Sequence, residues 1–342
     1  MSKKLQLNDL IGNKSIHTQL TIASGAARLH NKAMGHVLFS GLAGCGKTST
    51  ATAVSYLTDV PFFEVSAESI KTAEDLADLF SKFPADGYDE ETGEKVETIC
   101  PAILFIDEAH RLTLKTQEML GIAMENYRHT FTVGKGKKKA SRTAWVPEFT
   151  IICATTKEGM LSKPFRDRFK FSFVFNSYSV EESKEIIKLH AARKNVSIDE
   201  YSVDTIARRS RGTPRLLVRY LDTLHDSMLF MERDKITDDL AEAQFKLMGI
   251  DAIGLRSEDV KILKDLHECE TPQGLDTLAV KTNLDPKTIS EVNEPYLVRL
   301  GFIERTKGGR MITDIGIAHL IEQGHIEKPE LEAGMSRILS RV

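Results

Sequence analysis

The chain has 342 residues, 41% of them hydrophobic, and a formal net charge of −3. That length suits two or three domains, each with its own core; the near-neutral balance excludes a globally basic nucleic-acid binder, so any such contact must come from local patches. Four scattered cysteines without a C-x-x-C pair argue against a zinc site or disulfide framework, and the lack of an apolar leader or a run near ~20 apolar residues predicts a soluble cytoplasmic protein.

From the N-terminus, "HVLFSG" (36–41) predicts a buried strand closed by glycine, and "KTSTATAVSYL" a helix after it. "PFFEVSA", "AILFID" (102–107) and "FTIICATT" (149–156) predict three more buried strands. Short apolar strands separated by helical stretches imply an α/β fold with a mostly parallel sheet. The acidic stretch 84–99 reads as a surface loop. Residues 128–146 read as a strand, a glycine turn and a returning strand, and the tip at 135–142 carries Lys135, Lys137, Lys138, Lys139 and Arg142. From 177 the texture turns helical. Ser179 and Glu182 form a capping box, and Thr213 and Pro214 open a helix with apolar residues at 216, 217, 220, 221, 224 and 228. From 255, three helices, the last capped by Asp285, precede "GFIERTKGGRMIT", a strand, Gly-Gly turn and strand. This order predicts a winged helix-turn-helix. The expected domains are 1–176, 177–254 and 255–342.

"GLAGCGKT" (41–48) has the spacing of a phosphate loop between a strand and a helix. Gly41, Gly44 and Gly46 let backbone N–H groups converge on phosphate, with the helix N-terminus adding positive potential. Lys47 would reach the β- and γ-phosphates of ATP, Thr48 would ligate Mg²⁺, and Ser49 completes the ATP-binding stretch. Asp107, ending a buried strand, would hold the metal through water, and Glu108 would orient or deprotonate the attacking water. His110 reads as a local structural residue. Thr155 and Thr156 end the next strand; of the two, Thr156 is favoured to sense the γ-phosphate. Arg215, one residue inside a helix, would face phosphates. In "PFRDRF" (164–169), Arg166 and Arg168 fall at the rim of the sheet, away from their own nucleotide.

"RRSRGTPR", "PFRDRF", "GLDTLA" and "EPYLVRLGFIERT" together resemble the RuvB family of Holliday-junction branch-migration ATPases, from about Leu5 to about Leu320. The resemblance implies an AAA+ core with a small all-α lid and a winged helix, working as a homo-oligomeric, hexameric ring on double-stranded and branched DNA. It implies Arg168 as an arginine finger acting in trans, Arg215 as a second sensor, Tyr178 in the nucleotide pocket, and Glu125, Asn126 and Tyr127 as a nucleotide-proximal stretch. On the wing it implies Arg305 and Arg310 as DNA contacts, and Lys307 adds a third cation to that face. In the family the hairpin 128–146 docks a RuvA-like partner through an apolar tip.

This sequence departs from the pattern at several points. The start has Lys3, Lys4 and "IGN", leaving Leu10 and Ile11 as an apolar wall for the adenine. The phosphate loop reads "GLAGCG", the wing reads "RTKGGR", and the hairpin tip is basic. Beside the motor, two readings stay open: a clamp-loader- or helicase-loader-like ATP switch, and a scaffold on DNA. Lys47, Asp107, Glu108 and Arg168 together argue against the scaffold.

Overall fold

The computed structural model describes residues 6–30, 32–83, 87–88, 95–96, 102–133 and 140–327. They form two units, one of Met1–His190 with Gly212–Arg219, the other of Ala191–Arg211 with Tyr220–Val342.

The first unit is built on a five-stranded parallel sheet. In chain order its elements are α1 (Lys14–Leu29), β1 (Val37–Gly41), α2 (Lys47–Thr58), β2 (Phe62–Ser66), α3 (Ala73–Phe80), a short antiparallel pair β3 (Gly87–Tyr88) and β4 (Lys95–Val96), and β5 (Ala102–Asp107). There follow α4 (Leu114–Asn126), the hairpin β6 (Arg128–Val133) and β7 (Ala140–Trp145), β8 (Phe149–Thr155), α5 (Lys163–Arg166) and β9 (Phe171–Phe175). The sheet order is β2-β5-β8-β1-β9. β1, β5 and β8 are buried on both faces, which is why they read as continuous apolar runs. Alternate residues feed two cores. Leu104, Ile106, Ile151 and Cys153 pack with Leu76, Phe80 and Leu120 on one face, and Ile103, Phe105, Ile152 and Ala154 with Leu20, Ala51 and Val54 on the other.

The four expected strands and the hairpin are present, but β2, expected to be buried, lies at the sheet edge and has no fully buried residue; the fifth strand, β9, lay outside the sequence reading. It is an edge strand of alternating exposure, and its apolar residues follow a charged turn instead of forming an unbroken run. The hairpin tip at 134–139 and most of the acidic loop fall outside the described residues.

α6 (Val180–Arg193) opens on the expected capping box. Ser179 N donates to Glu182 Oε2 at 2.8 Å, and Glu182 N to Ser179 Oγ at 3.1 Å. α6 and α8 (Pro214–Phe230) both begin in the first unit and run into the second, which also holds α7 (Glu200–Arg209) and α9 (Asp238–Leu247). Within the second unit, Arg211, in a left-handed conformation at φ 58°, donates to the Gly254 carbonyl at 2.7 Å and pairs with buried Asp259.

The winged helix comprises α10 (Ser257–His267), α11 (Leu275–Thr282), α12 (Pro286–Thr288), α13 (Glu294–Arg299), the hairpin β10 (Ile303–Thr306) and β11 (Gly309–Ile312), and α14 (Asp314–Glu322). Leu263, Leu266, Leu278, Leu297 and Leu320 centre its core. Asp285 caps the third helix as expected, accepting from Lys287 N and Thr288 N at 2.9 and 3.2 Å. That helix is not continuous, however. A π-turn at Ile289–Asn293 precedes Pro295, whose missing N–H cannot close an ordinary α-turn. Among the described residues, no helix is long and apolar enough to cross a membrane.

Candidate functional site

The phosphate loop lies where β1 ends. Gly41, Gly44 and Gly46 all have positive φ, at 127°, 78° and 89°, conformations that only glycine takes readily. Space is as restrictive as torsion: a Cβ at Gly41 would lie 2.2 Å from the Phe175 carbonyl oxygen, and one at Gly46 2.9 Å from Tyr178 Oη. α2 starts at Lys47. The Lys47 ammonium donates to the carbonyls of Gly41 at 2.9 Å and Leu42 at 2.7 Å, which holds it over the loop. Burial lowers its pKa, while Asp107 and Glu108 act in the opposite direction. Thr48 and Ser49 are exposed in the first turn of α2.

Asp107 ends β5, and its Oδ1 accepts from Glu108 N at 2.9 Å. Glu108 stands in the left-handed region at φ 52°. Its Oε2 is 3.2 Å from His110 Nε2, and the ring's Nδ1 is 3.1 Å from Thr155 Oγ1 at the end of β8. Thr156, the favoured sensor, follows half-buried, but the hydroxyl tied into this group is that of Thr155. His110, read from sequence as a local residue, therefore bridges two strand ends. Arg215 also belongs to this neighbourhood. A Cβ at Gly44 would lie 3.1 Å from both Arg215 Cβ and Thr213 Cγ2, and the Arg215 charge acts on Lys47.

Beside the loop lies a cavity of about 220 Å³ lined by Asn13, Ser15, Ile16, Val174, Asn176, Ser177, Tyr178 and Glu182. Tyr178 is fixed at both ends, its N donating to Gly212 O at 2.9 Å and its Oη to Cys45 O at 3.3 Å. Burial raises its phenol's pKa. Tyr178 was expected here; Asn13, Asn176 and Glu182 were not. They come from three separate segments, and only the tertiary fold brings them together. Ile11, expected to wall the adenine, is half-buried and does not line this cavity.

Arg168 and the stretch Glu125–Tyr127 lie elsewhere. Parallel strands put the phosphate loop, Asp107 and Thr155 at the end of the sheet where strands finish. Arg168 precedes β9 by three residues, at the end where strands begin. It packs on Gly121 of α4, and its Nε lies 3.0 Å from Glu125 Oε1. The Tyr127 ring is 6.0 Å from that of Phe149, the first residue of β8. A five-residue strand spans roughly 15 Å. Within one chain, then, Arg168, Glu125, Asn126 and Tyr127 cluster together and not with their own phosphate loop.

No group of three or more His, Cys, Asp or Glu side chains suited to a metal occurs among the described residues. The donors near the loop, one hydroxyl and one strand-end carboxylate, fit Mg²⁺, which keeps waters and phosphate oxygens as ligands and needs no all-protein cage.

The sequence matches the Holliday junction DNA helicase RuvB P-loop domain over residues 3–175, the RuvB AAA lid domain over 178–251 and the RuvB C-terminal winged helix domain over 252–321. This chain belongs to the RuvB family. The Holliday junction branch migration complex subunit RuvB of Ehrlichia chaffeensis is 36% identical, over 94% of this chain and 93% of that one. The subunit of the same name from Pseudothermotoga lettingae is 35% identical, over 92% and 88%. The solved Thermotoga maritima RuvB Holliday junction branch migration motor has a TM-score of 0.78 at 31% identity, covering 95% of this chain and 98% of that one. The resemblance carried by a few motifs thus extends over the whole chain, as does the expected fold class. As a RuvB P-loop protein, the chain binds nucleotide.

The RuvB wing holds a pairing that sequence reasoning missed. Arg305 and Arg310 face each other across β10 and β11, and both donate to Glu294, whose side chain is only 1% exposed. Arg310 is held at 3.1 Å from each carboxylate oxygen and is 17% exposed; Arg305 remains 61% exposed. Arg310 is therefore an internal ion-pair partner as well as a candidate DNA contact. Burial alone would raise the Glu294 carboxyl, but the two arginines outweigh it and hold it below the ordinary glutamate range. Lys307 is exposed at the wing turn. The other hairpin, β6–β7, presents Trp145 73% exposed, with the Arg128 guanidinium 4.0 Å above its ring.

Proposed function

We propose that this chain is an ATP-driven DNA motor that drives branch migration of Holliday junctions in recombination and repair, acting in the cytoplasm as a homo-oligomeric, hexameric ring. The observation that carries the reading is the separation of Arg168 from its own phosphate loop. A finger at the strand-start end of the sheet can meet a γ-phosphate only in a neighbouring copy, so hydrolysis belongs to the assembly. In that pocket Lys47 neutralises the β- and γ-phosphates, and Arg215 and Thr156 contact the γ-phosphate. Glu108 orients the attacking water, and Arg168 from the adjacent copy faces the charge that develops on the transferred phosphoryl group. Thr48 and Asp107 would hold Mg²⁺, which supplies charge neutralisation when bound. Glu125, Asn126 and Tyr127 join the neighbour's site beside Arg168, and Tyr178 supports the base cavity.

Lys307, Arg305 and Arg310 make sequence-independent phosphate contacts, which suit a translocating motor. The hairpin 128–146 docks a RuvA-like partner; its exposed Trp145 supports that role. The deciding experiment follows a synthetic four-way junction with ATP. Directional movement that needs continued hydrolysis supports the motor. ATP-dependent binding of a protein partner with no junction movement would instead favour the loader-like switch.

A further inference from the structure

The partners of His110 favour one direction of hydrogen bonding. Lys157 N donates to Thr155 Oγ1 at 3.0 Å, so this hydroxyl already accepts once. A hydroxyl can accept twice, so the direction is set at the ring's other end: the Glu108 carboxylate can only accept, and when Nε2 donates to it the Thr155 proton points at His110 Nδ1, 3.1 Å away. With Nδ1 accepting, the neutral ring carries its proton on Nε2, 3.2 Å from Glu108 Oε2. The opposite neutral tautomer would turn a ring lone pair toward a carboxylate, which is repulsive. The imidazole side chain is largely buried, and Thr155 is fully buried in the end of β8. The chain of donors therefore starts on a fixed strand end and finishes on the one carboxylate suited to activating water. The backbone is also specialised here: Glu108 stands at φ 52° with its N–H tied to Asp107. A non-glycine residue in that region stores strain that surrounding contacts must hold.

We propose that His110 is a positioning residue for hydrolysis, its Nε2–H holding Glu108 while the Thr155 hydroxyl fixes the ring, so that the end of β8 sets where the glutamate points. The inference rests on Glu108 acting on the attacking water. Thr156 adjoins Thr155, so a shift of the strand end when Thr156 meets the γ-phosphate reaches Glu108 through two hydrogen bonds. The phosphate is thereby coupled to the base without any contact between them.

Four variants test this: His110→Ala, Thr155→Val, Thr155→Ser and Glu108→Gln. The first two are expected to lower kcat about tenfold, the scale of losing a partner that orients a functional group, and to leave affinity for a non-hydrolysable ATP analogue within about twofold, a split that general loss of structure would not give. Thr155→Ser, which keeps the hydroxyl, is expected to keep wild-type kcat, and combining His110→Ala with Thr155→Val is expected to be no slower than His110→Ala alone. A second readout needs no turnover. In histidine-15N-labelled, nucleotide-free protein, His110 is expected as the Nε2–H tautomer, and Thr155→Val alters that signal. If His110→Ala does not fold, Thr155→Val and the tautomer decide. An Nδ1–H tautomer, or wild-type kcat in His110→Ala and Thr155→Val while Glu108→Gln is inactive, overturns the positioning role alone. Wild-type hydrolysis by Glu108→Gln overturns the base assignment beneath it.

Discussion

Arg168 Nε lies 3.0 Å from Glu125 Oε1, on a helix whose far end approaches the phosphate-loop side of the sheet. Glu125 is 53% exposed and Arg168 25%, with the Arg168 Nε buried against Gly121; with one partner mostly in water, the pair contributes about 1 kcal/mol or less. Arg168→Ala should therefore leave stability nearly unchanged and nucleotide affinity within a few-fold. Turnover should drop by about 10³ or more, the scale of a lost arginine finger. Mixing Arg168→Ala with Lys47→Ala subunits should recover part of the activity, because some interfaces then pair an intact loop with an intact finger. Steady-state ATPase across mixing ratios checks this; absence of any recovery removes the trans role.

Arg310 and Arg305 look equivalent in the sequence, yet their surroundings differ. Arg310 is the more buried partner of a carboxylate that is itself 1% exposed. Arg310→Ala should destabilise the winged helix by about 2 kcal/mol, below the usual cost of orphaning a buried charge because Arg305 stays in place. Arg305→Ala should cost less, since its own guanidinium is mostly in water. Urea unfolding of the two variants side by side gives the comparison, and equal midpoints would contradict it.

What the sequence made legible follows a physical divide. The phosphate loop and the strand ending in Asp107 were readable because their chemistry is local: glycines at fixed spacing, and a continuous apolar run. The hairpin and wing were readable from their turns and flanking β-rich segments. Glu294 was not, because in "NEPYLVRLG" it reads as a solvated helix residue. It becomes buried only when Arg305 and Arg310, 11 and 16 residues further along the chain, fold onto it. Asn13, Asn176 and Glu182 share one cavity through tertiary packing alone. His110 was visible as a residue beside the acidic pair, but its contact with Thr155 spans 45 residues. β9 was missed because its apolar residues alternate with others from Phe169 to Phe175 instead of forming the continuous run that marked β1, β5 and β8.

Glu294 also predicts an acid response. Its folded pKa lies below the ordinary glutamate value, about 4.3 in an unfolded chain. Its contribution to stability is fully present above that value and is lost as pH falls from there through the folded pKa. The winged helix should hold its stability from pH 7 to about 5 and lose it increasingly below about 4. Glu294→Gln should be less stable at pH 7 and show a shallower acid decline. Other carboxylates titrate in the same window, so the informative quantity is the difference between the two curves; parallel curves would exclude Glu294 as a source.

Lys307 separates phosphate attraction from wing architecture. It is exposed at the turn between β10 and β11, whereas both neighbouring arginines are tied to Glu294. Gly309, at φ 138°, has its Cβ position 2.2 Å from the Gln273 carbonyl oxygen. Backbone bonds between Gln273 and Arg310, at 2.9 and 2.8 Å, fix the strand there. The turn is thus anchored without help from the lysine. Lys307→Ala should keep the wild-type melting temperature and weaken duplex binding to a similar degree for unrelated sequences. The slope of log affinity against log salt should shrink by about one, as for one lost phosphate contact. Binding isotherms on two unrelated duplexes at several salt concentrations measure both quantities, and a loss confined to one sequence, or an unchanged slope, would rule out the phosphate contact.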